Sequence, residues 1–259
     1  MKIIDIVNFL DEKFHPEYQE DYDNAGFLVG CGEEECTGVL VSLDLTSAVV
    51  DEARQQGCNL IVTHHPFIFG GLKRITDRSE AGRIIIEMLR GGIATYAAHT
   101  NLDNLPEGVN GILAQKLGLV NCKILKPFND NNIVGAGMVG ELPCETDADG
   151  FLLMVKQRLG LPWVRMSGER HTVRRVAICG GAGSFLIGDA MRAGADVYLT
   201  ADLKYHDFQR TEGRMLLADI GHYESEQFAK EIIYRVISEK FINFACKISE
   251  CQQSIVHYI

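Results

Sequence analysis

Several things are missing from this chain, and each absence removes a class of function. No apolar run approaches the roughly 20 residues that a membrane-spanning helix needs. The opening MKIIDIVNFLDEKF sets acids inside its apolar repeat, unlike a secretory signal, so a cytoplasmic protein is expected. Low-complexity tracts are absent too, and with 46% hydrophobic residues the 259-residue chain can bury one large core or two small ones. Positive charge is in short supply, since 25 Lys and Arg face 35 Asp and Glu, for a net charge of −10. That balance disfavours sequence-independent binding to DNA or to anionic membranes and makes nucleic acid an unlikely partner. Small molecules or other proteins are the expected partners.

Eight cysteines without a secretory context read as reduced thiols. Two pairs, Cys31 with Cys36 and Cys246 with Cys251, share a C-x4-C spacing at the loose end of zinc-knuckle spacing. They lie at opposite ends of the chain, and the second pair has no turn glycine between its cysteines. Small buried hydrophobes are the expected role.

The elements alternate. VLVSLD (39–44) reads as a strand, Thr46 or Ser47 caps a helix through Gln56, Gly57 stops it, and NLIVT (59–63) is the next strand. The helix SEAGRIIIEMLR and the strand IATYAA follow, a β-α-β-α-β rhythm that predicts a parallel sheet covered by helices. Further on, NIVGAGMVGEL reads as a strand and 148–159 as a helix closed by Gly160. The first rhythm then returns. Val39–Thr63 aligns without a gap on Val176–Thr200, with 5 of 25 residues identical, Gly57 opposite Gly194, and a closing threonine in both. The agreement of element boundaries predicts an internal duplication. The expected fold is therefore α/β: two similar, interlinked lobes, about 1–125 and 126–259, with mostly parallel sheets flanked by helices.

Chemistry-bearing residues gather where these strands end. The run NLIVT closes on His64-His65-Pro66. Neighbouring side chains on a strand face opposite ways, so two adjacent imidazoles serve one site only once the strand has ended, and Pro66 helps to end it. The next strand of each copy also runs into a histidine with an acid four residues on: His99 and Asp103, then His222 and Glu226. Taken singly, each has an ordinary explanation, Asp103 as a turn residue and Glu226 as a first-turn acid facing a helix dipole. Taken together, His64, His65, His99, Asp103, His222 and Glu226 all fall at strand C-termini, where open α/β sheets collect functional groups. An imidazole and carboxylate set without thiolate is unlike a structural zinc site and too large for one tetrahedral ion. It suits two divalent ions about 3.5–4 Å apart, and zinc, manganese, iron and cobalt all accept such donors.

The segments YDNAGFLVG, THHPFIFGGLKRI, AAHTNLDN, GADVYLTADLKYHDFQ and GHYESE, spaced in order over nearly the whole chain, resemble the NIF-three-like family, often labelled type 2 GTP cyclohydrolase I. The resemblance implies a two-lobed α/β fold with a dinuclear metal centre between the lobes and a ring-shaped homohexamer built as a trimer of dimers. It assigns the metal ligands to His64, His65, Asp103, His222 and Glu226, and places His99 beside them. The length fits the short form of the family, without the domain that longer members insert between the lobes. Where the family has Thr-Gly-Asp, this chain has Thr200-Ala201-Asp202, a change of small effect if φ is negative at that position. The label implies opening of a guanine nucleotide ring. The expected activity is a metal-dependent hydrolase on a nucleotide-like substrate, with His99, Asp202 or His206 carrying protons. A non-catalytic metal-binding ring acting as scaffold or regulator is the alternative. The glycine-rich ICGGAGSF (178–185) departs from both dinucleotide and P-loop fingerprints; it reads as a tight turn, or else as a loop facing a phosphorylated substrate.

Overall fold

The computed structural model describes residues 1–129, 131–169, 171–251 and 254–256. The first helix, α1 (Ile3–Phe14), buries Ile3, Ile6, Val7, Leu10 and Phe14, a 3–4 spacing that sets one face inward. Strand β1 (Gly26–Val29) follows. Then come β2 (Val39–Ser42), α2 (Ser47–Gln55), β3 (Leu60–Thr63), α3 (Glu80–Arg90) and β4 (Ala94–Ala97). Thr46 caps α2 by accepting from the Val49 N–H, and Ser79 caps α3 by accepting from the Gly82 N–H, so both helices begin where the sequence places a hydroxyl.

β2, β3 and β4 are parallel and buried at every position, as expected of strands covered on both faces. β1 runs antiparallel along β4. Leu40 and Ile61 of the sheet pack with Val49, Val50, Ala53, Ile84 and Met88 of α2 and α3. Each of these buried Val, Leu, Ile and Met side chains contributes about 1.5–3 kcal/mol.

After the short α4 (Thr100–Asp103), α5 (Val109–Leu117) begins the second lobe. β5 (Val120–Phe128) and the long β6 (Asn131–Asp147) form an antiparallel pair; α6 (Ala148–Leu159), β7 (Arg165–Ser167) and β8 (Thr172–Ala182) follow. A 3-10 turn and the short α7 (Ile187–Arg192) lead to β9 (Val197–Ala201), then β10 (Leu216–Asp219) and α8 (His222–Glu226). The six strands lie in the order β5-β6-β8-β9-β10-β7. Only β8, β9 and β10 are mutually parallel; β5, β6 and β7 pair antiparallel, so the parallel character expected of the whole sheet is confined to the repeated strands. Ala177, Tyr198 and Leu217 pack against Leu186, Ile187 and Ala190 of the turn and α7.

The chain then returns. α9 (Ala229–Lys240) and β11 (Cys246–Ile248) complete the first lobe, with β11 parallel to β2 at its edge. The lobes are therefore Met1–Leu102 with Ala229–Gln253, and Asp103–Phe228 with Ser254–Ile259. This differs from a division at residue 125 for two reasons: α5 packs on β8, and β11 needs β2 as its pairing edge. Among the described residues no helix is long and apolar enough to cross a membrane.

The duplication is visible in the strand registers. Val39 stands opposite Leu60 and Val176 opposite Val197, so the gapless alignment carries one β-α-β register onto the other. Both helix stops are glycines at φ +69°, Gly57 and Gly194.

Candidate functional site

In the first lobe, β3 ends at Thr63, whose hydroxyl donates to the His65 carbonyl at 2.8 Å and pins the strand exit. The His64 and His65 N–H groups still bond to the Ser42 and Leu43 carbonyls, at 3.2 and 2.9 Å. The chain therefore leaves the strand while tied to β2, and the two rings come within 5.1 Å, centroid to centroid. His99, two residues beyond β4, joins them at 5.3 Å from His64 and 5.5 Å from His65. One ligand atom from each of the three lies within 4.8 Å of the others.

Each ring is held through the same nitrogen. His64 Nδ1 donates to the Ala98 carbonyl at 2.7 Å, His65 Nδ1 to Asp44 Oδ1 at 2.6 Å, and His99 Nδ1 to Asp23 Oδ1 at 2.7 Å. A backbone carbonyl only accepts, so the proton of neutral His64 is on Nδ1 and Nε2 presents a lone pair. Asp23 also accepts from the Thr100 amide at 3.0 Å and from the Thr100 hydroxyl. Burial opposes its charge, but the His99 hydrogen bond and charge, with Thr100 and the Asn24 amide, bring its carboxyl down to about 2.

In the second lobe, β10 runs through Gly221 into α8, which carries His222 and Glu226 one turn apart. His222 Nδ1 donates to Asp202 Oδ2 at 2.8 Å, and Nε2 lies 2.9 Å from Glu226 Oε2. Burial alone would lower the His222 pKa; the two carboxylates outweigh it and push the imidazole up to about 11. Asp202 is lowered in turn, first by its hydrogen bond from His222. Asp202 takes a left-handed φ of +55°, which an aspartate tolerates, while Ala201 sits in β9 without positive φ, so alanine replaces the family's glycine there without backbone strain.

Asp103 ends α4. Its carbonyl accepts from Asn110 Nδ2 at 3.1 Å, and Asn110 Oδ1 accepts from the Gly180 N–H at 3.0 Å. A Cβ on Gly180 would meet Glu226 Cγ at 3.6 Å, and one on Gly181 would lie 2.0 Å from Glu226 Oε1. Asp103, the glycine run and Glu226 thus share one corner of the second lobe.

That packing accounts for the glycines in ICGGAGSF. The Gly180 amide is taken by Asn110 and the Gly181 amide by Ser225 Oγ at 2.9 Å, which leaves neither for a phosphate. His206 stands apart in an exposed turn, with Nδ1 3.4 Å from Gln209 Oε1. The paired cysteines are divided in exposure: Cys36 is buried and Cys246 half-buried, but Cys31 and Cys251 are exposed rather than core residues. Among the described residues no cysteine joins a metal-competent group. Sequence reasoning missed Asp23 and Asp44 as partners of His99 and His65; the available signal was an acid just past β2 in VLVSLD and another in the YDNAG segment.

The family model for DUF34/NIF3 (NGG1p interacting factor 3) matches residues 1–254. A Clostridium perfringens protein named GTP cyclohydrolase 1 type 2 homolog is 35% identical over 230 residues, 87% of each chain. A Lactococcus lactis protein of the same name is 34% identical over 93% of each. The crystal structure of a Staphylococcus aureus hypothetical protein superposes with a TM-score of 0.92 at 31% identity, covering 100% of this chain and 99% of the other. With the motifs, the fold and the whole length in agreement, the chain belongs to the DUF34/NIF3 family.

Proposed function

We propose that this protein is a metal-dependent hydrolase of a nucleotide-like small molecule, with His64, His65, Asp103, His222 and Glu226 holding two divalent ions. One observation carries the reading: His64, His65, His99 and His222 all spend Nδ1 on a carbonyl or carboxylate, within 2.6–2.8 Å, so that Nε2 is the nitrogen each ring can offer to an ion. This is how proteins orient metal-ligating imidazoles, fixing the tautomer and raising ligand basicity through a second hydrogen bond. A core histidine needs no such uniformity. The oxygen and nitrogen donors suit zinc, manganese, iron or cobalt.

Divalent ions bound by these donors would bring the pKa of coordinated water near neutrality and polarise the scissile group. The chain's own residues supply the rest. Asp44 and Asp202 orient His65 and His222. His99, backed by Asp23, keeps a second ring nitrogen available to accept or return a proton, and Asp202 and His206 are the further proton carriers of this reading. The relatives' name supports a guanine-nucleotide-like substrate, and the family resemblance supports assembly as a homohexameric ring.

Elemental analysis tests the centre. The purified protein, reloaded with each metal, is expected to hold close to two ions per chain, and His64→Ala to lose about one with the fold intact. A wild-type protein that retains no metal overturns the reading. Turnover of nucleotides, phosphodiesters and cyclic amides then tests hydrolysis; two bound ions without turnover on any of them would favour the scaffold reading. Light scattering tests the hexamer, and a monomer would refute it.

A further inference from the structure

In the first lobe, the stretch from the end of β3 at Thr63 to the start of α3 at Glu80 forms neither helix nor strand, and it begins with the histidine pair. Its length exceeds the roughly 12–15 residues beyond which an irregular connection usually has a task of its own. Both ends are fastened. Near the start, Asn24 Nδ2 donates to the Ile68 carbonyl at 2.5 Å. Near the finish, Arg83 Nη1 donates to the Asp77 carbonyl at 3.2 Å, and a Cβ on Gly82 of α3 would meet the Thr76 carbonyl oxygen at 1.9 Å. The span between is exposed from Phe69 to Arg78, and among the described residues no hydrogen bond holds residues 69–75. It carries apolar side chains into water: Phe69 and Ile75 are 50% exposed and Leu72 42%. Lys73, Arg74 and Arg78 accompany them against one acid, Asp77, in a chain of net charge −10. Gly70 and Gly71 stand at its base. Gly71 has φ +76°, and a Cβ on either glycine would meet nothing within 4 Å, so the pair has room to turn. Phe69, just before them, already leans on the histidines: its ring lies 6.1 Å from that of His99, edge to face at 78°, and 6.2 Å from that of Tyr22.

We propose that residues 69–76 form a lid, hinged at Gly70 and Gly71, which closes over His64, His65 and His99 when an oxyanion binds there, with Lys73 and Arg74 as its contacts to that anion. This rests on the proposed function in one respect, that ions on the histidines attract the anion. Closing takes Phe69, Leu72 and Ile75 out of water, which is favourable, and shuts water out of the site. The charges set the condition for closing. Divalent ions on the histidines and the cations of the lid repel one another, and the repulsion grows as water leaves. An anion between them reverses the sign, since its oxygens accept charge-assisted bonds from the ammonium and the guanidinium. The lid therefore answers to a filled site and not to metal alone, as closing loops that sequester a reaction do.

Chymotrypsin reads the lid directly, because Phe69 and Leu72 are cleavage points within it and variants at Lys73 and Arg74 leave those points in place. The full-length protein is digested metal-free and metal-loaded, each with and without orthophosphate or acetate, and mass spectrometry identifies the cuts. Metal-free protein is expected to be cut after Phe69 and Leu72 well ahead of any bond in the folded core. An oxyanion on the loaded protein should slow those cuts about tenfold or more, as the open population falls, whereas metal alone should leave them fast. Protection by orthophosphate and not acetate assigns the anion to phosphoryl chemistry, and the reverse assigns it to carboxylates. Lys73→Gln combined with Arg74→Gln should lose the protection, and Lys73→Arg combined with Arg74→Lys should keep it, a rescue that a merely structural role would not show. Cuts after Phe69 and Leu72 no faster than those in the core would show that no hinge opens and overturn the proposal. So would unchanged cleavage with either oxyanion, or full protection by metal alone, in protein that holds two ions, and the dinuclear centre would then stand without the lid. If the protein takes up no metal, the centre falls and the oxyanion arms still decide the lid: slowed cuts sustain it and unchanged cuts refute it.

Discussion

The two lobes carry one β-α-β scaffold and spend its strand exits differently. At a constant offset of 137 residues, Thr63 corresponds to Thr200, His65 to Asp202 and Asp44 to Gly181. In the first lobe, the exit of β3 bears two imidazoles, and the exit of β2 supplies the aspartate that orients His65. In the second, the exit of β9 supplies the orienting aspartate and the imidazole moves to the next strand, as His222. The aspartate's old position becomes Gly181, because Glu226 fills that space. One lobe is thus rich in nitrogen donors and the other in carboxylates. The lesson is that a duplicated scaffold preserves places for donor groups and their orienting partners, while the residue types at those places exchange.

The largest expected effect breaks this comparison at Gly181. An alanine there meets Glu226 Oε1 at 2.0 Å and must also adopt φ +60°. Left-handed strain and overpacking together should cost about 3 kcal/mol or more, read as a lowered denaturation midpoint. A loss under about 1 kcal/mol would show that Glu226 does not need that space. Next come the orienting aspartates. Asp44→Asn and Asp202→Asn should each weaken metal binding about 10–100-fold, measured by competition with a chelator, if the two carboxylates do equivalent work. A large effect at one and none at the other would end the equivalence.

The scaffold was legible in the sequence because its signals are local. The caps Thr46 and Ser79, the stop glycines and the buried runs of β2 and β3 each act within a few residues. So did the placing of His64, His65, His99, His222 and Glu226 at strand ends. What was not legible depends on distant pairing. The β5–β6 antiparallel extension, the return of β11 to β2, and the Asp23–His99 bond across 76 residues have no periodic trace. The glycines of ICGGAGSF misled in a related way: their reason, Ser225 and Glu226 pressing on the backbone, lies more than 40 residues on.

Acid sharpens the comparison further, because the orienting pairs differ in burial. The Asp23 side chain is fully buried, whereas that of Asp202 is 54% exposed. Asp23 is depressed from an ordinary 3.8 to about 2, so its contribution is fully present above the unfolded value and is lost as pH falls through the folded one. Metal-free protein should therefore lose about 1–2 kcal/mol through Asp23 between roughly pH 4 and pH 2, with solvent screening allowed for. Asp23→Asn should flatten that part of the curve. Denaturation at a series of pH values reads it, and an unchanged slope in the variant would remove Asp23 as the source.

The smallest effect tests where the lobes should agree. Gly57 and Gly194 close the corresponding helices with the same two hydrogen bonds. The Gly57 and Gly194 amides reach the Arg54 and Met191 carbonyls at 3.3 and 3.0 Å, and the Cys58 and Ala195 amides reach the Ala53 and Ala190 carbonyls at 2.8 and 3.1 Å. These are paired left-handed stops, and a Cβ on either glycine would meet nothing within 4 Å. Crowding therefore plays no part, and alanine at either site should cost only the left-handed backbone penalty, about 1 kcal/mol. The two losses should match, and the double variant should show their sum, since the sites share no partners. Chemical denaturation of the three variants decides it. A difference between the single losses of more than about 0.5 kcal/mol, beyond the usual additivity error, would mean that the shared helix stop is a likeness of sequence without a likeness of energy.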